Sequence, residues 1–360
     1  MRNILGYLFC LLSMSSAAQI DSNQSKHEKV AGLRLHAGTI VIHTPSVKNV
    51  SGARPFGAEL DFSKIDIDSS SYMKCNCYPR YGITLSYFDF DNVILGHGIM
   101  VSYFIEPSYW ISRKLKFNIR AAAGLVNASN PFDSIKNIAN KSYTTHLNPY
   151  LQVGIGVTRS VNQHLAIAIM GSFQHFSNGG YKEPNRGVNW VTGSLGFLYY
   201  QNSNFPKFKS SAYTGWRNNK IDIDAGILYV PAQGFNSKIM MQRKFLLGAF
   251  GQATKQYGKI SALAAGIEMY YDKLESVSTS LTKRSPLQAG IQVGHVFIFN
   301  KVTFSQHVGV QILKAMAQAE DFYFRYGLSY KLSRHWQAGI NLKAHSDNAD
   351  FADFRVAFRF

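Results

Sequence analysis

The residues with the clearest capacity for chemistry lie in the stretch 174–190, which reads Gln-His-Phe-Ser-Asn-Gly-Gly-Tyr-Lys-Glu-Pro-Asn-Arg-Gly-Val-Asn-Trp. His175 and Ser177 are two residues apart, so on a strand they share one face. A histidine beside a hydroxyl can take its proton and turn it into a nucleophile. A nearby amide, such as that of Asn189, can hold the imidazole in one tautomer, as in Cys-His-Asn proteases. The Asn178-Gly179-Gly180 run permits an unusual turn. Its backbone N–H groups, or the Asn178 amide, can stabilise an oxyanion. Together these residues suit acyl transfer through a serine. By spacing alone, the pair reads more readily as an interfacial His and Ser at a strand end.

The flanking residues must position this group. Before it, the odd positions are Leu165, Ile167, Ile169, Gly171 and Phe173, and the even positions are small or polar, from Ala166 to Gln174. That period of two marks a strand with one apolar face. After the motif, Val191, Leu195, Phe197 and Tyr199 repeat the pattern, with Asn189 in the same row. His175, Ser177 and Asn189 therefore continue the apolar rows of two neighbouring strands. If those rows face lipid, three polar side chains there are expensive without a function. His146 and Asn148 open the preceding strand on its opposite, inward row.

The rest of the chain has the same texture. It has 360 residues, 46% apolar and 16% charged, with 25 Phe, 20 Tyr and 4 Trp. The apolar content excludes a disordered chain. No apolar run reaches the ~18 residues of a membrane helix. Three cysteines cannot staple a chain of this length. We read about sixteen strands, starting near residues 33, 56, 80, 95, 115, 146, 163, 188, 219, 240, 258, 286, 301, 320, 335 and 351. Connections are short at 159–162, 256–258, 300–301 and 333–334, and long at 127–145, 179–187 and 272–285. Short turns on one side and long loops on the other mark a membrane β-barrel. The gaps 67–79 and 201–218 break the alternation.

The two ends point the same way. Arg2, an apolar run from Ile4 to Met14 and Ser15-Ser16-Ala17-Ala18 have the form of a signal peptide cleaved after residue 18. In the last strand Phe354, Val356, Phe358 and Phe360 share one face, and Asp353, Arg355 and Arg359 the other. An aromatic face ending in Phe resembles the assembly signal of outer-membrane proteins; the other reading is the edge strand of a soluble sheet. Cys75 and Cys77 are open to three readings: a strained bridge, free thiols or half a metal site. No zinc-spaced partner pair follows them. The expected fold is all-β: residues 1–18 a signal peptide, and 19–360 a single transmembrane antiparallel barrel of about 14–16 strands.

The string His-x-Ser-Asn, a glycine pair and then Pro-Asn-x-Gly-x resembles the active-site segment of the lipid A 3-O-deacylase (PagL) family of outer-membrane barrels. The likeness is close over 174–190. Residues 78–200 resemble the enlarged relatives termed acyloxyacyl hydrolases, and 201–360 add strands the small barrel lacks. The resemblance implies Ser177 as nucleophile, His175 as general base, and Asn178 with Gly180 as the oxyanion hole. It implies a lipid A or lipopolysaccharide substrate at the outer membrane, and no cofactor. The family ends this motif with a Glu that orients the histidine, where this chain has Asn189. Three readings stay open: Asn189 accepts from His175, Glu183 supplies the carboxylate, or the site is degenerate. Lys182 and Arg186 flank the motif as phosphate ligands or as ordinary rim residues.

The net charge of +17 asks for an acidic partner, which the phosphate-bearing outer leaflet would supply. No metal constellation, phosphate loop or nucleic-acid module is present in the sequence. The expected function is an outer-membrane serine esterase. The alternatives are a pore, structural or lipid-binding barrel with a decayed motif, and a phospholipase or acyltransferase using the same pair.

Overall fold

The computed structural model describes residues 27–202, 220–236, 241–276, 285–299, 301–314, 321–345 and 348–360. The expected leader, 1–18, lies outside them. Sixteen long strands match the sixteen read from the sequence. Their starts agree within three residues, except the first, which begins at 27 rather than 33.

The chain opens with β1 (His27–Ile40), β2 (Phe56–Asp66), β3 (Arg80–Asp89), β4 (His97–Glu106) and the short β5 (Ser108–Trp110). It continues with β6 (Leu115–Ala128), β7 (Leu147–Ser160), β8 (Leu165–Phe176) and β9 (Val188–Tyr200). Neighbours pair antiparallel, β4 pairs with β6 across the short β5, and β1 pairs with β9. Eight strands thus close into a barrel without a free edge.

The remaining strands repeat the plan. They are β10 (Ile221–Val230), the short β11 (Gln233–Asn236), β12 (Met241–Gln256), β13 (Ser261–Ser276) and β14 (Leu287–Phe299). After them come β15 (Val302–Leu313), β16 (Phe322–Lys331), β17 (Trp336–His345) and β18 (Asn348–Arg359). Because β10 pairs with both β12 and β18, this half closes as a second eight-stranded barrel. The expectation of one barrel over 19–360 is corrected here. A period of two specifies which side chains face out, and is blind to which strand completes the ring. The polar break at 201–218, which disturbed the loop alternation, separates two closed sheets; residues 203–219 lie outside the described ones.

The other break, 67–79, holds the short helix α1 (Ser69–Cys75). The Asp68 carboxylate accepts from the Ser71 N–H at 2.9 Å and caps its start. Its last residue, Cys75, forms a disulfide with Cys77.

The two faces of each strand are chemically inverted relative to a soluble protein. Large apolar side chains such as Phe62, Ile83, Ile155 and Ile169, and Ile267 and Val293 in the second barrel, are exposed. Charged ones are buried. An apolar surface running round a whole barrel is far larger than soluble monomers carry, and lipid is what covers it. No helix among the described residues is long and apolar enough to cross a membrane. The last strand follows suit: Phe354 and Val356 face out, while Asp353 and Arg355 are buried.

An eight-stranded barrel has room inside for little but its own side chains. In the first barrel, Arg34, Arg80 and Arg120 interlock with Glu59, Asp61 and Glu106. Glu106 alone touches all three guanidiniums, at 3.2, 2.9 and 2.9 Å. In the second, Arg325 and Arg355 share Glu268 and Asp353, at 2.5–3.0 Å. Charges of both signs thus meet inside each barrel.

Candidate active site

The site sits where β8 and β9 run into the connection 177–187. In the β8–β9 register His175 stands opposite Asn189, and Phe173 opposite Val191. Directly paired residues hold their Cβ atoms roughly 5 Å apart on one face, which brings the imidazole and the amide together. Ser177 follows His175 on that outward face, one step beyond the strand.

The resulting line of contacts is continuous. His175 Nε2 lies 3.1 Å from Ser177 Oγ. His175 Nδ1 lies 2.5 Å from Asn189 Oδ1. Asn189 Nδ2 lies 2.9 Å from Nδ1 of His43, whose Nε2 is 2.8 Å from the Arg186 carbonyl oxygen. Of the two side chains weighed as partners of His175, Asn189 is the one in contact with it. The Glu183 carboxylate is turned to its own loop, where it accepts from the Asn185 N–H at 3.1 Å.

His43 was not singled out in the sequence. It continues the odd, outward row Leu33-Leu35-Ala37-Thr39 of β1 through Val41, just past the strand. The Val41 N–H donates to the Asn189 carbonyl at 2.8 Å, so the chain is still beside β9 when it reaches His43. The row was a readable signal, but its neighbour was not.

The inward side chains of the same strands form the floor. Phe176 and Trp190 are fully buried and meet edge to face at 5.9 Å, with Phe90 against both. They belong to an aromatic core that closes this end of the barrel, together with Phe88, Tyr143 and Tyr150. Ser177, His175 and Asn189 thus stand outside a buried aromatic plug. Asn148 is buried in the same end, as its row requires. His146 is not inward; it lies just ahead of β7, exposed, with Nδ1 2.9 Å from the Ala128 carbonyl.

The loop between the strands is heavily tied. Ser142 accepts from the Gly187 N–H at 2.7 Å, and Lys141 from the Arg186 N–H at 3.1 Å, so the β6–β7 connection clamps it. The Asn178 N–H donates to Asn185 Oδ1 at 2.9 Å, and Asn178 Nδ2 donates to the Lys182 carbonyl at 2.7 Å. The Gly180 N–H donates to Asn178 Oδ1 at 3.1 Å. Asn178 and Gly180 are therefore adjacent, but bonded to each other. The Lys182 side chain is exposed and that of Arg186 half-buried on the same loop. Beside it, the backbone of Asp350 from the second barrel would stand 3.3 Å from a Cβ placed on Gly180.

The model of the family described as "Acyloxyacyl hydrolase, C-terminal domain" matches residues 171–360, and that of "Lipid A 3-O-deacylase (PagL)" matches 70–198. The chain belongs to this lipid A deacylase and acyloxyacyl hydrolase family. Both matches include the end of β8, the site loop and most of β9, and the C-terminal one takes in the whole second barrel. This member of the acyloxyacyl hydrolase family is an outer-membrane β-barrel protein, and its family domains are those of lipid A deacylases.

No curated protein matches the chain in sequence. Among solved structures, Neisserial surface protein A (NspA) is similar at 12% identity and a TM-score of 0.32, over 49% of this chain and 97% of that one. The Pseudomonas putida toluene transporter TodX is similar at 10% identity and a TM-score of 0.18, over 93% and 88%. A mutant Rh. blastica porin is similar at 14% identity and a TM-score of 0.20, over 93% and 100%. These low scores bear on neither the site nor its chemistry.

Proposed function

We propose that this protein is a serine esterase that hydrolyses an acyl ester of lipid A or lipopolysaccharide in the outer leaflet. The observation that carries this reading is the unbroken hydrogen-bonded line Ser177–His175–Asn189 on the lipid-facing side of the barrel. A water-soluble substrate would not need a nucleophile there. An acyl chain lying along the outside of β8 and β9, against Phe173 and Val191, would bring its ester to Ser177.

In the first step Ser177 Oγ bonds to the ester carbonyl carbon while its proton passes to His175 Nε2. The tetrahedral intermediate then breaks its bond to the sugar oxygen, which leaves with the proton from His175. Water attacks the acyl-enzyme with His175 again as base, and the fatty acid departs. Asn189 holds the imidazole but, as an amide, offers no charge to the imidazolium. For Asn178 and the Gly180 N–H to serve the oxyanion, the loop must exchange their mutual bond for the substrate's. Lys182 and Arg186, on the same loop, would meet lipid A phosphates.

The test is mass spectrometry of purified lipopolysaccharide after incubation with wild-type, Ser177→Ala and His175→Ala protein, with folding checked by heat-modifiable migration. Loss of fatty-acid release in both folded variants is expected. Full activity in both overturns the assignment. Lysophospholipid, or an acyl chain transferred to another lipid, would reassign the same pair to a phospholipase or acyltransferase.

A further inference from the structure

His43 is the one member of the hydrogen-bonded line that the reaction above does not use, and it touches neither Ser177 nor the imidazole of His175 in any contact described. Its bonds nevertheless decide what those two groups can do. A backbone carbonyl only accepts, so the His43 Nε2 that faces the Arg186 carbonyl oxygen carries a proton. In the neutral ring Nδ1 is then a lone pair. The Asn189 atom beside it must donate, which makes that atom the amide nitrogen and turns the amide oxygen toward His175. An oxygen there requires a proton on His175 Nδ1, and this leaves Nε2 as a lone pair facing Ser177 Oγ.

We propose that His43 is a positioning residue, which sets the orientation of the Asn189 amide and through it the tautomer of the base. The proposal rests on the reading of Ser177 and His175 as nucleophile and base. Its physical root is the exchange of a carboxylate for an amide. A carboxylate presents acceptors on both sides and has no wrong way round. An amide has one, and reversed it would aim N–H at His175 Nδ1, drive the ring proton to Nε2 and leave Ser177 without a base. A fixed acceptor on the far side of Asn189 removes that state. The site loop supports this, since Arg186, whose carbonyl anchors His43, is held by its own N–H on the Lys141 carbonyl.

The experiment measures fatty-acid release from lipopolysaccharide, and the rate at which an alkyl fluorophosphonate labels Ser177, in His43→Ala and His43→Asn. Selecting the wrong tautomer costs about 10⁴ in a serine protease. Here the amide is biased rather than replaced, and we expect kcat and the labelling rate to fall together by about 10²-fold in His43→Ala, with KM little changed. His43→Asn restores an oxygen acceptor near the Nδ1 position, and should recover most of that loss. In an Asn189→Asp background, where no reversed state exists, His43→Ala should cost less than about threefold. Activity in His43→Ala within twofold of wild type overturns the proposal, as does equal loss in His43→Ala and His43→Asn. If Ser177→Ala keeps its activity and takes no label, the reading of the nucleophile fails instead, and the two failures are told apart.

Discussion

Gly187 lies against the ring of His175: a Cβ on it would stand 2.7 Å from the imidazole Cε1, and its φ is +75°. Two demands meet at this residue. The backbone takes the left-handed turn back into β9, and the imidazole occupies the space a side chain would need. The third glycine of the motif is thus part of the seat of the His175 ring.

Gly187→Ala should therefore impair catalysis more than folding. The left-handed conformation costs an alanine about 1–2 kcal/mol, and the methyl must push the ring off its line to Ser177. A displacement near 1 Å is enough for about 10²-fold in rate. Fatty-acid release should fall by that order in a protein that still migrates as a folded barrel. Unchanged kcat would show that the ring has room to move without losing Ser177.

Asn189→Leu removes the acceptor for His175 Nδ1 and leaves the ring free to choose its tautomer. By analogy with the serine-protease case, kcat should drop by about 10²- to 10⁴-fold. Single-turnover release of fatty acid is the direct measurement. Glu183→Gln, whose carboxylate is tied to the Asn185 N–H, should leave kcat within about twofold.

Ile169 is at the middle of β8 and 60% exposed. Read as a lipid contact, Ile169→Arg should destabilise the barrel in bilayers by about 2–4 kcal/mol. Urea titration of protein refolded into vesicles would register this as a lower midpoint. A neutral result would place this surface against protein or water.

Within the first barrel, Glu106→Ala leaves three guanidiniums with two carboxylates in a buried space. Removing one partner from a buried ionic group costs about 3–5 kcal/mol. The same titration measures it. A loss below about 1 kcal/mol would mean that water fills the gap and satisfies the arginines.

Because β1 and β9 complete a ring, a chain ended after Asn202 retains every pairing of the first barrel. Refolded into detergent, it should give a heat-modifiable band and a strand-rich circular dichroism spectrum. Failure to fold would show that the second barrel is needed to form the first.

Much of this protein was determined by its sequence alone, because the relevant rules are local. Alternation of side chains along a strand set the sixteen spans. It also set the outward row of Phe173, His175 and Ser177 and the inward row of Ser172 and Gln174, each from neighbours two residues away. The convergence of His175 with Asn189 followed from the same alternation, once the two strands joined by the loop 177–187 were taken as neighbours. What only the tertiary structure decided was the closure of the sheet. One ring of sixteen strands and two rings of eight satisfy the same alternation, and the choice depends on which distant strand meets β1. In the larger ring β1 would lie beside the final strand, and His43 would have no part in the site. Closing the sheet at eight pairs β1 with β9, and this long-range register brings His43 against Asn189.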